Sequence, residues 1–421
     1  MENIIHNELI KNSAALLKKP LGFSPSYQQA MLKAHEIFKN LGIPSRKNED
    51  WKYTSIEKNL SIRFFEDNVS IVSDVPKSVI DQRGMIIFNN GVFNKFLSVL
   101  PEGLELTALI NEDIFLDSFD ALNFSTAISP LSLKIKKNTV IDFPITIIHL
   151  VDDVAVNKII CPRIMILAEE NSKLSIMEIF ECNKPELLQY TTNAVTQFSL
   201  KANAHIEHVK IQNEARSATH IGLTNANVCA GAKFKSLTLD LGLKMARNNI
   251  NVSLNEPNAQ TSVHGLFALK NTEHTDVFSV IKHFAGHTFS DQLFKGILAG
   301  ESHGIFTGKI IIVKDAQLCT SSQLNKNLLL SKKAHIDTRP QLLVHADDVK
   351  CSHGATIGQL SDEEAFYLES RGLPKEKAKQ MLCHGFATDA LDKIENDKIR
   401  QFCEKIFVTH FKVTALDQQD L

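Results

Sequence analysis

The sequence predicts a mainly β protein in which a solenoid core lies between two helical regions. Runs of alternating or β-branched apolar residues, such as TVIDFPITIIHLV and GKIIIV, fill the middle of the 421-residue chain and are typical of strands. Before and after them, apolar residues recur at helical spacing. We therefore expect an N-terminal helical domain at 1–85, a β core at 86–355 and a C-terminal helical domain at 356–421.

The solenoid is predicted by a short token that recurs in the core. A turn residue is followed by a small residue and then by a Lys, His or Gln that opens a strand-like run. The small residue stands at 172, 204, 232, 259, 316 and 334, in steps of 32, 28, 27, 57 and 18. A repeat of roughly thirty residues is typical of solenoids, and the near absence of two-residue hairpin turns favours a parallel β-helix. On this pattern alone, a β-sandwich and several small β-domains stay open as alternatives.

The N-terminal region carries a clear helical stripe. Pro25 and Ser26 precede apolar residues at 30, 31, 34, 37, 38 and 41, and Gly42 with Pro44 ends the pattern. The only tryptophan, Trp51, follows in a polar stretch, and we expect it to anchor this region on the core.

The C-terminal region predicts three helices. Ser361 with Glu364 three residues later matches a capping box, and Gly372 supplies a natural helix end. Pro374 opens a second helix, and a third carries apolar residues between 391 and 407. The simplest interpretation is a small bundle that caps the open end of the solenoid. The same helices can also dock a partner through another face.

Composition narrows the class of protein. Lys and Arg number 46 against 48 Asp and Glu, so no basic field predicts nucleic-acid binding. No apolar run approaches the roughly 18 residues that span a bilayer, and the N-terminus does not resemble a signal peptide. The seven cysteines are scattered without a CxxC pair, which favours a reducing compartment. We therefore expect a cytoplasmic protein that binds neither nucleic acid nor membrane.

Cys351 and His353 form the strongest candidate site in the sequence. They follow His335 and His345, and their spacing of two turns both side chains to one face of a strand. A thiolate beside an imidazole can bind a soft or borderline metal ion or act as a nucleophile with its base. The simplest alternative is a half-buried cysteine next to a solvated histidine. Phosphate-loop, GxSxG and HExxH motifs are missing, so we predict no nucleotide site in this chain.

Three long motifs carry a family resemblance. They are RPQLLVHADDVKCSHGATIGQL with the following FYLESRG, the upstream FTGKIIIVKDAQLCTSSQLNKNLLLS, and GIPSRKNEDWKYT at 42–54. Together they resemble the SufD branch of the SufB/SufD family, whose members belong to the SufBCD scaffold for iron–sulfur cluster assembly. The motifs lie near both ends of the chain, so the resemblance covers most of it.

The resemblance implies a right-handed parallel β-helix flanked by helical domains, in a scaffold subunit that is not an enzyme. It also implies pairing with SufB, docking of the ATPase SufC, and a transient iron–sulfur cluster or iron shared with SufB. The family's interface histidine corresponds to His353 and the adjoining thiol to Cys351. The SufC surface implied by the C-terminal motifs consists of Tyr367, Leu368, Arg371, Gly372, Leu373 and Phe386.

Two positions separate this chain from the SufB branch. SufB-like sequences carry a cysteine where this chain has Asn325, and a glutamate where it has Gly354. We therefore expect a partner of SufB, with a homodimer through the same surface as an option for the isolated chain. The competing hypothesis is a β-helix hydrolase or lyase with a Cys351/His353 pair. A third is a structural partner in which His353 only stabilises the interface.

Overall fold

The computed structural model of the protein describes residues 2–66, 76–109, 115–183 and 188–415. These residues form 21 strands and six α-helices, so the fold is mainly β, as the sequence predicts. Residues 67–75 and 416–421 of the predicted terminal domains lie outside the described residues. None of the described helices is both long and apolar enough to cross a membrane.

The strands follow one another from residue 63 to residue 358. Their bounds are β1 (Arg63–Phe64), β2 (Met85–Asn89), β3 (Val92–Phe93), β4 (Leu104–Leu106), β5 (Leu131–Ile135), β6 (Ile145–Val151), β7 (Lys158–Ile160), β8 (Arg163–Ala168), β9 (Lys173–Cys182), β10 (Thr191–Leu200), β11 (His205–Asn213), β12 (Thr219–Val228), β13 (Lys233–Asp240), β14 (Met245–Leu254), β15 (Gln260–Leu269), β16 (His274–His283), β17 (Phe289–Leu298), β18 (His303–Ile312), β19 (Cys319–Leu329), β20 (His335–Val344) and β21 (Val349–Gly358).

Successive strands alternate between two sheets that face each other. The first sheet runs β4–β5–β8–β10–β12–β14–β16–β18–β20, and the second runs β3–β2–β6–β9–β11–β13–β15–β17–β19–β21. From β10 onward, neighbouring strands in each sheet are parallel and lie 26 to 32 residues apart in sequence. Each turn of the chain therefore adds one strand to each sheet, and this arrangement confirms the solenoid over the sandwich.

The recurring token marks the turn that leads into the second sheet. Its first residue has a left-handed backbone at Asn171, Asn203, Gly231 and Asn258, with φ between 56° and 64°. Asn and Gly adopt this conformation at the least cost. The small residue that follows is buried at all six positions, because the close-packed interior leaves no room there for a larger side chain.

The two irregular steps of the token have a structural explanation. The step of 57 spans a turn at His287 and Thr288, where His287 has φ 58° and Thr288 is buried. This turn has the same geometry without the token's sequence. The step of 18 joins turns of different sheets, because Ala316 precedes β19 of the second sheet whereas Ala334 precedes β20 of the first.

Apolar side chains fill most of the space between the two sheets. Phe198 packs against Phe234 and Phe294 against Phe306, with ring centroids 5.0 and 4.8 Å apart. All four rings belong to one continuous buried cluster. Burying a side chain of this size contributes roughly 1.5–3 kcal/mol, so the stacked interior is a main source of stability.

A polar cluster interrupts this interior. The Glu178 carboxylate of β9 lies 2.9 Å from His149 Nε2 and 2.8 Å from His208 Nε2, and it accepts a 2.8 Å hydrogen bond from Thr196 Oγ1 of the opposite sheet. All four side chains are buried. Burial by itself raises the pKa of Glu178, but the hydrogen bonds from the two histidines outweigh it and hold the pKa well below its usual range.

Three helices lie on the N-terminal side, α1 (Glu2–Leu17), α2 (Pro25–Leu41) and α3 (Ser118–Thr126). Ser24 caps α2 by accepting a hydrogen bond from the backbone N–H of Tyr27, and Gly42 ends it with φ 70°. Trp51 is buried, with the Arg247 guanidinium 4.4 Å above its ring. This contact fastens the region to the outer face of the first sheet and confirms Trp51 as an anchor.

The C-terminal region forms α4 (Asp362–Ser370), α5 (Lys375–Leu391) and α6 (Asp397–Ala415). Ser361 caps α4 by accepting from the backbone N–H of Glu364, and Gly372 follows its end with φ 86°. Helices α5 and α6 pack on the outer face of the second sheet, where Leu239 and Ile297 share a buried cluster with Leu391. They therefore cover the side of the solenoid rather than its open end, because the outward side chains of this sheet are themselves apolar.

The last turn of the solenoid is open along one edge. Strands β20 and β21 end their sheets, and most of their residues are exposed or half-buried. By contrast, the preceding strands β18 and β19 alternate buried and half-buried residues. Two neighbouring strands thus present unpaired backbone groups on the same side.

Candidate functional site

Cys351 and His353 both lie on β21, at this open edge. They are in register with Ser321 and Gln323 of β19, and residues in register on parallel strands face the same side. Ser321 and Gln323 are buried between the sheets, so Cys351 and His353 face the interior side of the last turn. Their shared face agrees with their spacing in sequence.

The surroundings of Cys351 do not activate its thiol. The side chain is half-buried against a cluster that contains Ile310, Ile312 and Cys319. Burial raises the pKa of Cys351, and the neighbouring Cys319 raises it further. A raised pKa lowers the population of the thiolate, which is the reactive form. This environment therefore gives no support to the nucleophile of the hydrolase hypothesis.

His353 is exposed and, among the described residues, no hydrogen-bond or ion-pair partner is found for it. Behind it in register lie Gln323 and then Gln292, whose buried amides also lack hydrogen-bond partners within the described part of the chain. The imidazole thus ends a column of interior polar groups and is open to a ligand from outside. His335 and His345 lie elsewhere, at the start of β20 and just beyond its end.

The predicted docking residues of α4 lie close together at its C-terminal end. Tyr367 is 57 % exposed, and the Arg371 guanidinium lies 5.2 Å from the centre of its ring. Leu368 and Leu373 are half-buried, and Gly372 is exposed in the turn between α4 and α5. These residues form a small surface with an aromatic ring, a cation and partly exposed apolar side chains.

Phe386 lies apart from that surface, on the side of α5 that meets the second sheet. The ammonium group of Lys295 lies 4.2 Å from the centre of its ring. The same ammonium donates hydrogen bonds to Phe386 O at 2.7 Å and to Asp389 Oδ2 at 2.5 Å. Because the lysine side chain is almost fully buried, this contact ties α5 to β17.

A groove between α5 and α6 was not predicted from the sequence. Met381, His384 and Phe407 line it together with Lys377, and its volume is about 290 Å³. Met381 is 48 % exposed there. The helical stripe of α5 indicated that Met381 packs inward, so the sequence carried no signal for an open groove.

Asn325, one of the positions that separates this chain from SufB-like sequences, is fully buried on β19. Its Nδ2 donates to Phe294 O at 3.1 Å, and its Oδ1 accepts from Asn327 Nδ2 at 2.6 Å. A thiol offers only weak hydrogen bonds in place of these. The interior of this chain therefore holds an amide, with a structural role, at that position.

Comparison with known proteins agrees with this arrangement. The family described as SUF system FeS cluster assembly, SufBD core domain, matches residues 151–386, which is more than half of the chain. The chain belongs to the SufBD family. This finding confirms the resemblance in the sequence motifs, and membership supports a role in iron–sulfur cluster assembly.

Individual SufBD relatives match along most of their length. The iron–sulfur cluster assembly protein SufD of Escherichia coli K12 is 30 % identical over 376 residues, which cover 86 % of this chain and 87 % of the relative. A SufBD family iron–sulfur cluster assembly protein of Synechocystis is 30 % identical over 391 residues, covering 86 % of each chain. Similarity to SufD thus extends beyond the core domain.

Proposed function

We propose that this chain is a non-catalytic scaffold subunit of the SUF system that pairs with SufB through the open edge of its solenoid. The carrying observation is that β20 and β21 end their sheets side by side with mostly exposed residues. Unpaired edges of this length bind another strand readily. SufB shares the core fold of the family, so its own last turn can continue both sheets.

Cys351 and His353 are the groups that this chain brings to such an interface. In the proposed complex they face iron or a nascent cluster, which is the cargo of the complex. His353 is exposed and unpartnered among the described residues, so it can bind iron without breaking an existing contact. An imidazole is a neutral ligand, weaker than a thiolate, and therefore suits a cluster that must leave. Without SufB, two copies of this chain can pair through the same edge.

The ATPase SufC docks, in this proposal, on the surface formed by Tyr367, Leu368, Arg371, Gly372 and Leu373. An exposed aromatic ring beside an arginine is a common centre of binding energy in protein interfaces. Phe386 contributes indirectly, because it holds α5 on the solenoid through Lys295. ATP binding by SufC can then move the helices against the interface.

The iron-binding part of the proposal is tested with His353→Ala. An exposed side chain contributes little packing, so the fold and the complex with SufB should persist. The co-purified complex should nevertheless contain less iron and sulfide after cluster assembly. His345→Ala is the matched control, since His345 is an exposed histidine six residues from Cys351 that the proposal does not use.

Two outcomes would contradict this assignment. If the His353→Ala complex assembles as much iron and sulfide as the wild type, the histidine has no ligand role. If the chain never co-purifies with SufB and the β20–β21 edge stays accessible in the mixture, pairing itself is wrong. Hydrogen exchange of the β20 and β21 amides measures that accessibility, because strand pairing protects backbone N–H groups.

SufC docking is tested by a charge in the proposed contact. Tyr367→Asp should abolish capture of SufC, because an unpaired carboxylate in a desolvated contact costs several kcal/mol of binding, on the order of an interface hot spot. Phe96→Asp is the control, since Phe96 is 89 % exposed and lies outside the C-terminal helices. Point changes are sharper than removal of residues 361–421, which would strip α5 and α6 from the apolar face of the second sheet. Equal capture of SufC by both variants would move the docking surface elsewhere.

A further inference from the structure

Two histidines and an aspartate meet on the outer face of the first sheet. His303 on β18 is in register with His335 on β20, and their ring centroids are 5.1 Å apart. Asp337 follows two residues after His335 and shares its face, because side chains alternate along a strand. One donor atom from each of the three residues lies within 4.8 Å of the other two.

Both imidazoles approach the same carboxylate oxygen. Asp337 Oδ2 lies 2.8 Å from His303 Nε2 and 3.4 Å from His335 Nε2. Ligand atoms bound to a small divalent cation at roughly 2.0–2.2 Å are themselves roughly 3 Å apart. The three donors therefore need to move by only a fraction of an ångström each to surround an ion.

The strands hold these donors in position. Gly304 and Ile336, which alternate with the donors, face the buried interior. On the neighbouring strand, His274 stacks edge-on against His303 with ring centroids 5.0 Å apart, and its Nε2 lies 3.1 Å from Thr54 Oγ1. Burial lowers the pKa of His274 to about 4, so it stays neutral and adds no positive charge behind the three donors.

The three donors are also accessible from solvent. The side chain of His335 is 66 % exposed, that of His303 30 % and that of Asp337 22 %. Since β20 is the last strand of the first sheet, an ion here would keep open coordination positions. The next cation on the same face, Arg339, is already paired with Glu49 and so opposes an incoming ion only weakly.

We propose that His303, His335 and Asp337 bind one divalent first-row transition metal ion, of the class of Zn²⁺ or Fe²⁺. Two imidazole nitrogens and one carboxylate oxygen suit these borderline ions, and three-ligand sets of this kind leave positions free. Ca²⁺ and Mg²⁺ prefer sets of oxygen ligands. The site needs no residue of a partner chain, so it does not depend on pairing with SufB.

The test uses the full chain without a polyhistidine tag. Calorimetric titration with Zn²⁺ should give one tight site, and Co²⁺ should acquire the visible absorption of a protein-bound ion at the same stoichiometry. His335→Ala and Asp337→Asn should each weaken binding by more than about 100-fold, since changes to groups that merely support ligands already cost up to that much. His345→Ala should leave the affinity unchanged. Repeating the titrations in a Cys351→Ser, His353→Ala background separates this site from the one on β21.

Several results would overturn the proposal. Tight binding that survives both His335→Ala and Asp337→Asn would put the ion elsewhere. Loss of the tight site in the Cys351→Ser, His353→Ala background would assign it to β21. Absence of a Zn²⁺ or Co²⁺ site in the wild type, or its displacement by excess Mg²⁺, would also refute it. Far-UV circular dichroism of each variant guards against unfolding, and the exposure of His335 makes unfolding unexpected there.

Discussion

Glu178→Gln should destabilise the solenoid strongly, because this carboxylate links both sheets from within. In the native protein it accepts hydrogen bonds from His149, His208 and Thr196, and it is almost fully buried. Glutamine keeps the size of the side chain but turns one acceptor oxygen into an NH₂ donor. That donor must then face a ring N–H or a hydroxyl that previously donated to the carboxylate.

The expected loss follows from these contacts. Hydrogen bonds to a buried charged group contribute roughly 1.5–3 kcal/mol each, and removing one partner from a buried ionic cluster costs roughly 3–5 kcal/mol. The contacts around Glu178 form one network, so their values do not simply add. We expect a loss of about 3–5 kcal/mol in the free energy of unfolding.

Thermal and urea unfolding, followed by circular dichroism, measure this loss. Glu170→Gln is the matched control, because Glu170 forms an exposed ion pair with Lys137, and such pairs contribute little. The control should melt like the wild type, whereas Glu178→Gln should melt several degrees lower. If both variants melt together, the interior cluster does not stabilise the fold and the reasoning fails.

The same contrast has a defined pH dependence. The folded pKa of Glu178 lies well below the ordinary value of 4.5. Its charge therefore stabilises the fold fully above pH 4.5, and this contribution is lost as the pH falls from there through the folded pKa. The difference between Glu178→Gln and the wild type should be constant near neutral pH and narrow only on acidification below about pH 5. A difference that shrinks already near neutral pH would contradict the lowered pKa.

Two further predictions concern buried groups. Burial lowers the pKa of His283 from 6.5 to about 4, so the unfolded chain takes up a proton first and the protein should lose about 3 kcal/mol of stability between these values as the pH falls. His283→Asn should flatten that part of the pH–stability curve, and an unchanged slope in urea titrations would refute the assignment. For the tie between α5 and β17, Asp389→Asn should destabilise more than Lys295→Met. The first change leaves a buried ammonium with one partner fewer, at a cost of about 1–3 kcal/mol, whereas the second leaves a mostly exposed carboxylate in water. Melting curves that reverse this order would be inconsistent with the buried ammonium.

Features that depend on neighbours in sequence were readable from the chain alone. The turn token works locally, since Asn203 or Gly231 supplies a left-handed turn residue and the next small residue fits the interior. Ser361 and Gly372 bound α4 by local hydrogen bonding and backbone geometry in the same way. These signals predicted the solenoid and its terminal helices, and the longer motifs indicated the family.

Contacts between turns were decided only by the tertiary structure. His303 and His335 are 32 residues apart and meet because that number equals the local pitch, whereas His274 and His303 meet at 29. Since the pitch varies from 26 to 32 residues, no fixed period in the sequence aligns one turn with the next. The same applies to Glu178 with its two histidines, and to Phe386, which faces Lys295 rather than solvent. The sequence by itself determined the type of fold and its turns, while register between turns determined which polar side chains became neighbours.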